Sequence, residues 1–153
     1  MSIIESTLAD MGITLPDAPA PAANYLPYVI AGDLVYVSGQ ISANDDGFIV
    51  GKLGDDFDVD QGVDAAQRCG VALLAQLKAA CGGDIERLVR VVKLTGFVNS
   101  TQDFTQQPAV INGCSDLFAN ALGERGKHAR AAVSAPSLPF GVAVEIEAIF
   151  QIK

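Results

Sequence analysis

Arg130, Ala132 and Ser134 alternate along one stretch of the chain, and Glu145 and Glu147 alternate along the next. In β conformation alternate residues share a face. If the two stretches pair as antiparallel strands, a guanidinium and two carboxylates come within a few side chains of one another. Such a group is either a cross-strand ion pair, worth roughly 0.2–1 kcal/mol, or the polar heart of a site. The pattern alone leaves both readings open.

Other catalytic templates are missing. The sequence has no GxSxG, GxGxxG or P-loop signature. Its single histidine, His128, sits beside Lys127 at the start of a predicted strand and is expected to be exposed. Carboxylate pairs for sugar hydrolysis would lack an aromatic platform, since Trp is absent and Tyr occurs 3 times. Asp55, Asp56, Asp58 and Asp60 lack the glycine and terminal glutamate of a calcium loop and read as a solvated helix entrance. Cys69, Cys81 and Cys114 form no CxxC and no Cys/His spacing, so no metal site is expected. Two of them fall in one predicted helix, about 18 Å apart along its axis, too far for a disulfide. Buried core thiols are the expectation.

The elements that must position these residues follow from periodicity. Residues 2–11 predict a short helix, with Ser2 as N-cap, Glu5 completing a capping box, and Ile3, Ile4, Leu8 and Met11 as its apolar stripe. That stripe is expected to pack on the body of the protein. Pro16 to Ala23 reads as an extended connector. Tyr28–Ile30 and Leu34–Ser38 predict a hairpin, and Phe48–Val50 a third short strand. A long helix is expected from about Asp60 to Cys81, with Val63, Ala66, Gly70, Leu73, Leu77 and Cys81 inward and Asp64, Gln67, Gln76 and Lys78 outward, stopped by Gly82-Gly83. Leu88–Val98 predicts a strand, Pro108–Leu122 a helix ending at Gly123, and His128–Ser134 and Val142–Ile152 two closing strands. The last strand puts Val142, Val144, Ile146, Ala148, Phe150 and Ile152 on one side and a mixed set on the other, as where a partner subunit covers part of a face. The fold class is α+β, with two helices on one face of a sheet.

Size and charge narrow the partners. The 153 residues fit one domain, a helical arm and connector at 1–24 and a core at 25–153. Apolar residues make up 50% and charged residues 18%, which excludes intrinsic disorder. A net charge of −8 with scattered basic residues argues against nucleic acid and anionic lipid as partners. The start of the chain lacks the basic and long apolar segments of a signal peptide, and no stretch is apolar enough to span a membrane. A cytoplasmic protein is expected.

Several segments together resemble the RidA/YjgF family of reactive-intermediate deaminases. They are Leu26-Pro-Tyr-Val29, Val35-Tyr-Val-Ser-Gly-Gln-Ile41, His128-Ala-Arg-Ala-Ala-Val133, and Leu138-Pro139 followed by Val144-Glu-Ile-Glu-Ala-Ile149, with Phe97-Val98 and Asn112 between them. The resemblance covers roughly residues 25–153. It implies a chorismate-mutase-like protomer in a homotrimer with a central barrel-like core and clefts between subunits. It also implies hydrolysis of 2-imino or 2-enamino acids to 2-keto acids and ammonia without a cofactor. Arg130 matches the family's substrate-carboxylate arginine and Glu145 its water-orienting glutamate. Tyr28 matches the pocket tyrosine, Gly39 the glycine lending its backbone, and Asn112 the helix asparagine. Ala132 stands where cysteine is common, its carbonyl being what faces the water. Ser115 stands where tyrosine is common. The residue types suit these roles: a guanidinium fork grips a carboxylate bidentately, and a carboxylate beside water acts as general base. The family name has also been attached to endoribonuclease and translation-inhibitor activity, against which the charge argues. A non-catalytic binder of small carboxylates on the same fold is a third reading.

Overall fold

The computed structural model describes residues 1–153. Ser2 caps α1 (Ile3–Asp10) through the expected box: its hydroxyl accepts from the Glu5 amide, and the Glu5 carboxylate accepts from the Ser2 amide. The longest helix, α2 (Val59–Ala80), begins with a second box, in which Asp58 and Gln61 serve each other's amides. The acidic run therefore starts a helix, and Asp56 accepts from the Lys52 amide. Gly82 and Gly83, both at positive φ, end α2 as expected. Pro108 opens α3 (Gln107–Leu122) and Gly123 closes it.

Five strands form one mixed sheet: β1 (Tyr28–Ala31), β2 (Leu34–Ile41), β5 (Leu88–Asn99), β6 (Ala129–Ala135) and β7 (Val144–Ile152), in the spatial order β1-β2-β7-β5-β6. A small hairpin, β3 (Ala43–Asn44) with β4 (Gly47–Phe48), stands where one short strand was expected. The closing strands do not pair with each other. β5 lies between them, antiparallel to β7 and parallel to β6. A period-two pattern states which residues share a face but not which strand lies alongside, so the antiparallel β6–β7 pairing that would have joined Arg130 to Glu145 and Glu147 does not occur.

Helices α2 and α3 pack on one sheet face over a core that includes Leu73, Leu77, Val91, Leu94, Ile111, Phe118, Ile146 and Phe150. They approach closely at Gly113, where any Cβ would strike the Val63 carbonyl. The three thiols are buried, and burial pushes their pKa values up. On β7 the even-numbered residues from Val144 to Ile152 are buried, while Glu145, Glu147, Ile149 and Gln151 face outward.

Two features of the arm and connector differ from expectation. Ile4 and Leu8 are buried, but Ile3 is 76% exposed, so the packed stripe of α1 is narrower than its apolar residues suggest. Gln76, expected on the wet side of α2, is 1% exposed, and its Nε2 donates to the Pro19 carbonyl. The connector covers that side of the helix, which a helical pattern cannot reveal.

Candidate functional site

Strand β2 carries a bulge between Val37 and Gln40, where its register against β7 shifts. The bulge brings the Gly39 backbone against the outward side chain of Glu145. A Cβ on Gly39 would stand 2.5 Å from Glu145 Oε2, so only glycine leaves the carboxylate its place. Glu145 is half-buried, and burial, followed by the nearby Glu147 charge, raises its pKa above the ordinary 4.5. Raising a carboxyl's pKa moves it toward the working pH, the direction that suits a group that takes up and returns a proton.

Glu145 and Gly39 line a groove of about 1060 Å³ that the connector, the β2 bulge and α2 bound together. Phe48 and Phe140 also line it and stack on each other, ring centroids 5.0 Å apart. Phe140 holds φ 59, the one non-glycine residue in the left-handed region. Tyr28 is not part of this lining. It packs half-buried against the core at the start of β1, and Tyr25 and Pro27 border the groove instead.

A second polar group lies on the helix-facing side of the sheet, at the β6 edge. Arg130 Nη1 donates to Ser115 Oγ at 3.1 Å, and Nη2 donates to the Pro108 carbonyl at 3.3 Å. The Nε–H and one proton on each Nη remain for a ligand. Asn112 is exposed on the same α3 face as Pro108 and Ser115, by helical spacing. Ala132 is half-buried beside Gly96 of β5. Ser115 also meets His128 Nε2 at 2.9 Å, so the histidine expected to be exposed is in fact half-buried and bonded. Burial, followed by the Arg130 charge, lowers its pKa. In the sequence Ser115 stands out only as a departure from the family's tyrosine; the helical spacing of positions 108, 112 and 115 is the signal that could have placed it beside Arg130. For His128 no local pattern existed.

The expected site residues thus fall into three places: Gly39 with Glu145, Arg130 with Asn112 and Ala132, and Tyr28 apart. Arg130 makes no ion pair. Two strand spacings and three residues of offset separate its Cα from that of Glu145 by about 14 Å, on opposite sheet faces. Within one chain the guanidinium and the carboxylate do not share a pocket.

Comparison with known proteins agrees with this fold. The model of a family described as "YjgF/chorismate mutase-like, putative endoribonuclease" matches residues 5–150. A solved structure of Atu1372, a protein of unknown function from Agrobacterium tumefaciens, is similar at 49% identity and TM-score 0.93, over 99% of this chain and 93% of that one. Protein TCP17 of Trypanosoma cruzi is 46% identical, over 98% of this chain and 94% of its own length. A 2-iminobutanoate/2-iminopropanoate deaminase of Dermatophagoides farinae is 29% identical, over 92% of this chain and 95% of its own length.

Proposed function

Because this chain belongs to the YjgF/chorismate mutase-like family, we propose that it hydrolyses 2-imino acids, and their 2-enamino tautomers, to 2-keto acids and ammonia. The observation that carries the reading is Glu145, a half-buried carboxylate with a raised pKa, lodged against a glycine that leaves it room. The 29% identical deaminase supports the substrate class.

In the proposed reaction Arg130 grips the substrate carboxylate through its free N–H groups. Glu145 holds a water against the imine carbon. The water oxygen bonds to that carbon as Glu145 accepts its proton, and the C=N π electrons move to nitrogen. With the substrate bound as its iminium, Glu145 returns that proton to the resulting amino group. The C–N bond then breaks, the hydroxyl proton passes to Glu145 as the carbonyl forms, and ammonia leaves, taking that proton away as ammonium. No resident cofactor enters any of these steps.

The carboxylate and the reacting carbon of such a substrate are neighbouring atoms, whereas Arg130 and Glu145 lie far apart in one chain. The reading therefore needs Arg130 of one copy beside Glu145 of the next, in a closed ring that we propose is a homotrimer. Two surfaces support it. The free edge of β6, Ala129–Ala135, carries no charge besides Arg130 and would otherwise be an open template for pairing. The outer sheet face exposes Val29 and Tyr36 to 50% and 45%.

The test is steady-state hydrolysis of 2-iminobutanoate, generated in place from the amino acid. Arg130→Ala is expected to lose activity by tens to thousands of fold while remaining folded, since truncating a charged partner in a desolvated site costs about 2–5 kcal/mol. Arg130→Lys recovers little, because a point charge lacks the fork. Hydrolysis by Arg130→Ala at the wild-type rate would refute the reading. Binding of 2-oxobutanoate without any turnover of the imine would instead favour a carboxylate-binding protein.

A further inference from the structure

We propose that Ser115 and His128 are positioning residues that hold the Arg130 guanidinium ready for a substrate carboxylate. The inference rests on the imine-hydrolase reading for its substrate but on separate atoms for its geometry.

The direction of the hydrogen bonds follows from one contact. His128 Nδ1 lies 2.6 Å from the Gly126 carbonyl oxygen, which can only accept, so the ring proton sits on Nδ1. In a neutral imidazole Nε2 is then bare. Ser115 Oγ, 2.9 Å from it, must donate its only proton there. The hydroxyl lone pairs are left to accept, and Arg130 Nη1 donates to them at 3.1 Å. The relay runs one way, from Arg130 to Ser115 to His128 to the Gly126 carbonyl. Phe118 packs edge-on against the imidazole, with centroids 6.1 Å apart, and fixes the ring plane. The bond from Nη2 to the Pro108 carbonyl supplies a second anchor on α3.

The consequence is preorganisation. A free arginine side chain loses rotamer freedom when it grips a ligand, and one already fixed by two bonds loses less. Both bonds engage the guanidinium from the α3 side. Protons on Nε and on each Nη stay available, which is what a two-oxygen anion needs. Neither Ser115 nor His128 has to touch the reacting carbon, so their effect belongs to binding of the carboxylate and not to the proton transfers at Glu145.

The tests separate positioning from mere support of the fold. With 2-iminobutanoate, Ser115→Ala is expected to raise KM roughly three- to tenfold, the worth of one hydrogen bond, with kcat nearly unchanged. Its affinity for 2-oxobutanoate should fall by the same factor. Ser115→Thr keeps the hydroxyl and should restore both values. His128→Gln, which offers an acceptor near the Nε2 position, should resemble wild type more than His128→Phe does. A purely structural role would lower thermal stability without this KM-against-kcat split and without rescue by threonine. Independently of any substrate, ¹⁵N spectra of the wild-type imidazole should show a protonated Nδ1 and a bare Nε2. Finding the Nε2–H tautomer, or equal KM values for wild type and Ser115→Ala, would overturn the proposal. If wild type neither hydrolyses the imine nor binds the keto acid, the hydrolase reading fails. The relay is then judged by the tautomer and by whether Ser115→Ala frees the rotation of the Arg130 guanidinium in NMR spectra.

Discussion

A carboxylate that must both move protons and sit half out of water carries a cost that can be measured. Burial and Glu147 raise the pKa of Glu145, so the folded chain binds that proton more tightly than the unfolded chain does. Its contribution to stability is full below the ordinary pKa of 4.5 and is lost as pH rises through the raised value. Glu145→Gln keeps the neutral shape. It is therefore expected to melt above wild type at pH 7 and to match it below about pH 4, while hydrolysing the imine far more slowly. Calorimetric Tm values at the two pH settings check this. Wild-type hydrolysis should rise with pH through the same window, as Glu145 ionises. Gly39→Ala tests the neighbouring atom: a Cβ 2.5 Å from Oε2 must displace the carboxylate. A folded but nearly inactive variant is expected, judged by circular dichroism alongside the hydrolysis assay.

At the scale of elements, α1 behaves as part of the body. Leu8 is 1% exposed, and Leu8→Ala is expected to cost about 2–5 kcal/mol in a denaturant titration. Glu86 accepts from the Ile4 amide, and Lys78 of α2 pairs with Glu5 at 2.5 Å. The hydrogen bond from Lys78, then the backbone of Ser2, lowers the Glu5 pKa from 4.5 to about 2. That stabilisation is present above pH 4.5 and disappears as pH falls toward 2. Both partners are partly solvated, so Glu5→Gln should cost no more than about 1 kcal/mol at neutral pH, and nothing near the acid end. Elements were legible wherever the signal was local. Ser2 with Glu5, Gly82-Gly83 and the inward stripe of α2 fixed two helices and their ends. Gln76 misled because the connector that covers it lies 57 residues away in the chain. The β6 neighbour was hidden for the same reason: parallel pairing with β5 is reached only through α3.

For the whole molecule, candidate site residues could be named from the sequence, but their distribution over the surface could not be read there. Gly39 and Glu145 meet through a bulge, Arg130 faces α3 across the sheet, and the proposed reaction needs a second copy to bring the two together. Sedimentation of the wild-type protein at micromolar concentration should give a trimer, and a monomer would count against the assembly. The most direct measurement mixes two disabled proteins. Arg130→Ala and Glu145→Gln, each nearly inactive alone, are unfolded together in equal amounts and refolded. Random assembly of rings in which each site takes Arg130 from one copy and Glu145 from the next leaves about a quarter of the sites intact, so about a quarter of the wild-type hydrolysis of 2-iminobutanoate should return. A refolded mixture no more active than either variant alone, beside a control in which refolded wild type is fully active, would contradict a site shared between copies.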